Sequence, residues 1–257
     1  MESYWGPPAF TKTNLLHHYN SMEKISSLSV FLPCYNEAQN IPSMVEDLSA
    51  ALPTLAKKFE IIVIDDGSTD DTRNVLTSLK KTHPFLRSAH HEKNRGYGAS
   101  LRTGFSEAKY DWTFWTDGDR QFDITELKTF LPQLHKYQAI LGYRINRAEG
   151  FRRKLNASLY GLFIDFLFNI QAKDIDCAFK LIKTSTLQSL PITSTGAFVS
   201  AELFYQLRKK KIAFIQLPVH HYPRKFGSPT GNNVSVIVKA LLEAMKLRIH
   251  TIIYRTE

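Results

Sequence analysis

The chain has 257 residues, 43% of them hydrophobic and 22% charged, which excludes wholesale disorder and suits one large domain or one domain with an appendage. Its two cysteines, Cys34 and Cys177, exclude a disulfide scaffold and a cysteine-built metal cluster, and they point to a reducing compartment. The formal charge of +9 suits an anionic partner (nucleic acid, a phosphorylated small molecule or an acidic lipid surface), although a merely basic surface would carry the same charge.

Residues 1–26 mix Pro, Gly, His and aromatics without period and read as an irregular extension. They lack the order of basic start and apolar stretch that marks a cleaved signal peptide. From Ser27 the pattern changes. A short strand over 29–32 closes at Pro33, and a helix follows with Ile41, Val45, Leu48, Leu52 and Leu55 on its buried stripe. Pro53 should kink or end that helix. Residues 60–64 form a strand, apolar beyond Glu60, as expected where both sheet faces are covered. The turn and capping cluster 65–71 leads into a helix through Val75 and Leu79. Strands over 85–90 and 112–115 flank a helix over 99–108. A helix over 124–134 precedes a strand over 139–141.

The second half is less regular. An apolar-rich helix covers 155–170, and strands cover 178–183 and 212–219. A long amphipathic helix over 234–254 carries Val234, Val238, Leu241, Met245, Ile249 and Ile252 on one face. That helix has two readings: packed on its own domain, or lying in a membrane interface. No apolar run approaches the ~20 residues of a membrane span; the nearest, 160–170, is broken by Asp165. The alternation implies an α/β, doubly wound and mostly parallel sheet. Its parts are the extension at 1–26, a single domain at 27–231 and a C-terminal helix at 232–257.

In such sheets ligands bind beyond the carboxyl ends of the strands, where 33–37, 65–68 and 117–121 all fall. Asp117-Gly118-Asp119-Arg120-Gln121 offers oxygens from Asp117, Asp119 and Gln121 on one side of a tight turn, which suits Mg2+ or Mn2+ on a diphosphate. The same pattern also describes a solvated turn. Asp65 and Asp66 suit a ribose or base edge, or alternatively a helix N-cap, and Tyr35 suits the face of a base. Gly96-Tyr97-Gly98 opens a helix where bare backbone can approach a ligand, or it is simply a loop-to-helix turn. Leu101 stands where a dinucleotide fingerprint needs its last glycine, which counts against a nicotinamide enzyme.

Together Pro33-Cys34-Tyr35-Asn36-Glu37, Ile64-Asp65-Asp66-Gly67-Ser68-Thr69-Asp70, Asn94-Arg95-Gly96-Tyr97-Gly98-Ala99 and Asp117-Gly118-Asp119-Arg120-Gln121 resemble glycosyltransferase family 2, with its Rossmann-like GT-A fold. The likeness covers roughly 27–231 and lies nearest the polyprenyl- and dolichyl-phosphate sugar synthases. Asp-Gly-Asp stands where the family more often has Asp-Ala-Asp. The resemblance implies that Pro33, Tyr35, Glu37, Asp65, Asp66, Gly96 and Asp117 bind a GDP- or UDP-linked sugar, and that Asp117, Asp119 and Gln121 address Mg2+ or Mn2+. By the same match Arg144, Arg153 and Arg224 hold an acceptor phosphate, and they join Asp119 as the catalytic set.

The implied reaction is inverting transfer to a polyprenyl phosphate, with a soluble glycan or protein acceptor as the alternative and a silent binding module as a third reading. A phosphate acceptor needs no general base, because its second pKa is about 6. Ala201-Glu202 is the one place to look for a base, and a positioning role suits it better. His220 and His221 read as loop or packing histidines. The basic residues follow no groove-reading motif, so nucleic acid is not an expected partner. The expected location is cytoplasmic, with peripheral contact at a membrane face.

Overall fold

The computed structural model describes residues 23–145, 151–224 and 234–253. Seven strands form one sheet: β1 (Ile25–Cys34), β2 (Ala56–Asp65), β3 (Leu86–His90), β4 (Trp112–Trp115), β5 (Ala139–Ile145), β6 (Lys180–Lys183) and β7 (Phe214–His220). Their order is β3-β2-β1-β4-β6-β5-β7, parallel except for β6, which runs antiparallel to both β4 and β5. Helices α1 (Ile41–Leu55), α2 (Thr72–Thr82) and α3 (Tyr97–Glu107) follow β1, β2 and β3. Beyond β5 come α4 (Phe151–Phe168), α5 (Thr184–Ser189), α6 (Val199–Lys209) and α7 (Val234–Ile253). The expected α/β, mostly parallel architecture is what the chain adopts. Most of the proposed extension, 1–22, lies outside the described residues, and β1 already begins at Ile25.

Both faces of the central strands are covered, which explains why they read as unbroken apolar runs. Leu28, Val30 and Leu32 of β1 join one core with Ile41, Val45, Leu48 and Leu52 of α1. Phe31 points to the opposite face, edge-on to Phe105 of α3 at 5.8 Å and stacked on Trp115 at 5.6 Å.

Several elements differ from expectation, each for a local reason. β1 and β2 are each ten residues long, because their parallel backbone pairing runs from Ile25 opposite Ala56 to Cys34 opposite Asp65, past the apolar runs. The Ser29 hydroxyl donates to Glu60 at 2.6 Å, and Arg87 closes on the same carboxylate at 2.7 Å. Burial opposes ionisation of Glu60, yet Arg87 and Ser29 hold its pKa below the ordinary range. Residues 124–134 are not one helix but two 3-10 turns, Ile124–Thr129 and Leu131–Gln133. Pro132 has no N–H with which to continue a ladder, so the chain restarts there. Pro53 does sit inside α1, which ends two residues later. Two helices of the irregular second half, α5 and α6, were not legible as periodic stripes.

Helix α7 packs on the domain, but through a different face from the one its large residues define. Ala240 and Ala244 are the buried positions, joined by partly buried Leu247, whereas Val238, Met245 and Ile249 face solvent and Leu241 is half-buried. The side chains of Val234 and Ile252 lie outside the described residues.

Gly104 on α3 tests how tightly that helix meets the sheet. A Cβ there would lie 2.4 Å from the Phe31 ring, which is already wedged between Phe105 and Trp115. In an open helix Gly→Ala stabilises by about 1 kcal/mol. Here overpacking should reverse the sign, and Gly104→Ala should destabilise by ~1–3 kcal/mol in urea unfolding. A gain in stability would show that the Phe31 stack yields easily.

Candidate functional site

Strand register levels the first two clusters. Cys34 pairs opposite Asp65, and Asp65 opposite His90, so β1, β2 and β3 finish side by side. β4 pairs Phe31 with Trp115, and the chain then runs on so that Gly118 lies against Pro33 and Cys34. In the order β3-β2-β1-β4 the winding reverses at β1, which makes the gap between β1 and β4 the switch point where α/β sheets bind ligands.

The loops after β1 and β2 are sewn together. Asn36, at φ 56°, accepts from the amides of Thr69 and Asp70 at 2.8 and 3.4 Å, and its own amide donates to Ser68 Oγ at 2.9 Å. Glu37 and Ala38 donate amides to Thr72 and Asp70. This leaves Pro33 at the strand end and Tyr35 exposed at the rim. The Glu37 carboxylate is already engaged: Asn40 donates to it at 2.5 Å and Arg224 donates to its other oxygen. Burial raises its pKa against the pull of those two partners.

Neither Asp65 nor Asp66 caps α2. Asp65 accepts from the Ser68 amide at 2.9 Å and pairs with His90 Nδ1 at 2.9 Å. Burial opposes its ionisation, but Ser68 and His90 outweigh it and hold the carboxyl below the usual range. Asp66 is engaged within the protein. Its oxygens accept from the amides of Arg95 and Gly96 at 2.9 and 2.8 Å and pair with buried His91 at 2.6 Å. A buried carboxylate bonded in this way is a brace for the loop before α3, with little left for a ligand.

Gly96 and Gly98 lie at a close contact between two loops. Their bare backbones approach the protein itself: a Cβ on Gly96, at φ 99°, would meet Thr195 O at 2.6 Å, and one on Gly98 would meet Gly196 O at 2.7 Å. The opposing loop is clamped by two carboxylates that periodicity could not pair with it. Glu202 of α6 accepts from the amides of Thr193 and Ser194, and Glu243 of α7 from those of Thr195 and Gly196. Glu202 is therefore a positioning residue, the role that suited it better than that of a base.

Between the two glycines, Tyr97 donates its hydroxyl to Asp117 at 3.1 Å. Asp119 is buried and accepts from the Gln121 amide at 3.2 Å. Burial, and next the Asp119 charge, push the Asp117 carboxyl up to about 7. Two oxygen donors that repel one another fit a hard divalent cation. Among the described residues no group of three or more His, Cys, Asp or Glu side chains could hold a metal, so phosphate and water oxygens would complete the shell. Gln121 is turned elsewhere: its side-chain nitrogen donates to Tyr222 O at 3.0 Å, and Tyr222 N returns to Gln121 O at 2.8 Å. It ties the segment after β7 to this turn.

The arginines are less available than their sequence suggested. Arg144 directs Nε and Nη2 at both oxygens of Asp174, at 2.7 and 2.8 Å, in a nearly buried fork-to-fork pair. That pair uses two of the guanidinium's five N–H groups and fixes the orientation of its plane. Arg153 lies on α4 with its side chain outside the described residues. Arg224 reaches Glu37, so the segment after β7 meets the first loop, and 225–233 lie outside the described residues. His220 pairs with Glu126 at 3.1 Å and His221 packs on Phe122, neither in a metal-binding set. Lys180 was missed. Buried in β6, it donates to the carbonyls of Ile175 and Cys177 and lowers the Asp117 pKa by its charge. A lysine inside the apolar run Ala178-Phe179-Lys180-Leu181-Ile182 was the available signal.

Known proteins match this arrangement. Residues 29–191 match the model of the family described as glycosyl transferase family 2. A dodecaprenyl-phosphate galacturonate synthase of Rhizobium johnstonii is 26% identical over 205 residues, 78% of this chain. The chain spans 60% of that curated relative's length. Glucosyl-3-phosphoglycerate synthase from Mycobacterium tuberculosis, solved with Mn2+, UDP and glucosyl-3-phosphoglycerate, superposes with a TM-score of 0.65 at 19% identity, over 95% of this chain and 86% of that one. Mannosyl-3-phosphoglycerate synthase from Rubrobacter xylanophilus gives 0.65 at 17% identity, over 88% and 74%. At such identities the likeness is one of fold, and the fold is GT-A.

Asp65 makes the site's acid limit measurable. Its folded pKa lies below the unfolded value of 3.8, so its stabilisation is whole above that value and is lost as pH falls through the lower, folded one. Asp65→Asn removes the charge and keeps the shape. The stability difference between the two proteins, followed by urea unfolding across pH, should be largest near neutrality and shrink below about pH 4. A difference independent of pH would mean that charge contributes nothing there.

Proposed function

This chain belongs to glycosyl transferase family 2, and we propose that it is a metal-dependent, inverting glycosyltransferase that moves a sugar from a UDP- or GDP-linked donor to a polyprenyl phosphate. The observation that carries this reading is the meeting of the 33–37, 65–66 and 117–119 segments at the ends of three adjacent parallel strands. Tyr35 offers an exposed flat face to the base. Asp65, whose carboxylate has lone pairs beyond those used by Ser68 and His90, can accept from the ribose or base edge. Asp117 and Asp119 would hold Mg2+ or Mn2+, which when bound offsets charge on the departing diphosphate. Tyr97 and the braced loop before α3 keep Asp117 in place, so little reorganisation is left for the reaction itself.

The acceptor follows from what the chain does not need to supply. A sugar hydroxyl requires a base, whereas a phosphate monoester is already anionic, its second pKa being about 6. Glu202, the candidate base, is committed to the amides of residues 193 and 194. The name of the dodecaprenyl-phosphate relative supports a lipid-linked phosphate, and attack from the face opposite the leaving group inverts the anomeric centre.

Asp119→Ala tests the metal reading. Turnover with a panel of UDP- and GDP-sugars should fall at least a hundredfold, about 2.7 kcal/mol, while circular dichroism stays unchanged. The metal-dependent thermal shift produced by donor should vanish with it. Transfer at the wild-type rate would end the assignment.

Arg224 is given a bridging role: it joins the segment after β7 to Glu37. Arg224→Lys keeps the charge and loses the planar fork. Catalytic efficiency should fall by about 2 kcal/mol, with the loss in kcat rather than in donor affinity. Glu37→Gln should overlap with it in a double-mutant cycle, because the two side chains act as one unit. Additive losses would instead mean that Arg224 grips the acceptor independently of Glu37.

A further inference from the structure

Two helices of this fold expose large apolar side chains that no described residue covers. On α4, Leu159, Leu162 and Phe166 are 56%, 68% and 86% exposed, while Ile164 and Phe168 on the other side fill the core. A helix that is apolar all round is ordinarily buried. On α7 the arrangement is reversed relative to normal packing. The small residues Ala240 and Ala244 meet the domain, and Val238, Leu242, Met245 and Ile249 form an outward stripe at i, i+4, i+7 and i+11. The two helices are in contact with one another.

The charges around the stripe select its partner. Lys239 and Lys246 are exposed and lie roughly a quarter-turn round α7 from the apolar stripe, given ~3.6 residues per turn. Each helix has a single acidic residue, and each is directed at the protein's own amides: Asp165 accepts from Gln171 at 2.6 Å, and Glu243 from Thr195 and Gly196. The outward stripe of α7 is thus apolar with lysines at its border, which is the distribution of a helix seated in a headgroup layer.

We infer that the outer faces of α4 and α7 form a docking surface for an anionic phospholipid bilayer, into which Phe166 and Leu242 insert while Lys239 and Lys246 meet the headgroups. The surface adjoins the site. Lys239 Nζ lies 3.6 Å from where a Cβ on Gly96 would be, and Glu243 holds the loop against which Gly96 and Gly98 pack. A membrane bound here would bring a lipid-linked acceptor beside Asp117 without a spanning segment, and among the described residues no helix is long and apolar enough to span. The inference rests on the lipid-acceptor reading for its purpose, but its test needs no acceptor.

The test is flotation of the full chain with phosphatidylcholine vesicles, with and without phosphatidylglycerol and free of any prenyl phosphate. Wild-type protein should partition at least about tenfold more strongly onto the anionic vesicles, and high salt should remove that preference. Phe166→Asp and Leu242→Asp, both at exposed positions, should each weaken partition about tenfold or more while leaving the melting temperature and transfer to detergent-dispersed acceptor unchanged. Failure of the wild type to float, or binding that survives both substitutions, would overturn the surface. Should the wild type instead ignore vesicles and sediment as a dimer that either substitution dissociates, the face is covered by a second copy of the chain and the bilayer assignment is wrong. Transfer to polyprenyl phosphate in detergent reports on the acceptor reading separately, so either can fail without the other.

Discussion

The parallel register of β1 between β2 and β4 is the constraint on which the site depends. Because Cys34 stands opposite Asp65 and Phe31 opposite Trp115, three loops emerge at one level and at the one gap where the winding reverses. A slip of one residue in any of these pairings would turn every side chain of that strand to the other face. The core prevents it: Phe31 lies between Phe105 and Trp115, while Val30 and Leu32 are committed to the α1 side. Packing far from any ligand thus sets where the carboxylates emerge.

Above the sheet, carboxylates serve as scaffolding. Asp66, Glu202 and Glu243 each accept two or more hydrogen bonds from loop residues, and together they hold the loop before α3 against the loop of residues 193–196. A carboxylate bonded to backbone amides makes charge-assisted bonds, stronger than neutral ones. Removing one leaves buried N–H groups unsatisfied. The glycines at 96 and 98 let the two loops meet at backbone distance. Rigidity here carries Tyr97 to Asp117.

Asp117 and Asp119 stand apart from that pattern. They sit close enough for one to raise the pKa of the other, with Lys180 supplying positive charge from below. A strand-end pair that destabilises its own ionised state is maintained at a cost, which a bound cation would offset. The basic balance of the chain acts at longer range and suits anionic partners.

The sequence by itself determined the α/β class, the strand that ends before each motif and the four motifs themselves, because apolar period and turn chemistry are local properties. It also located Tyr35, Asp65, Asp117 and Asp119 at strand ends. It did not reveal what each polar group is bonded to. Asp66 and Asp65 are buried neighbours of the same type, yet one braces the loop before α3 and the other binds Ser68 and His90. Arg144 matched a phosphate-binding position, and Asp174, thirty residues on, occupies its fork. Long-range partners of this kind have no periodic signature. Which face of α7 would pack was also decided by tertiary structure: close approach of the helix to the domain favours Ala240 and Ala244, leaving the larger side chains that define its hydrophobic stripe outside. Hydrophobicity along a helix shows that a face will be covered, but the shape of the surface it meets selects which one.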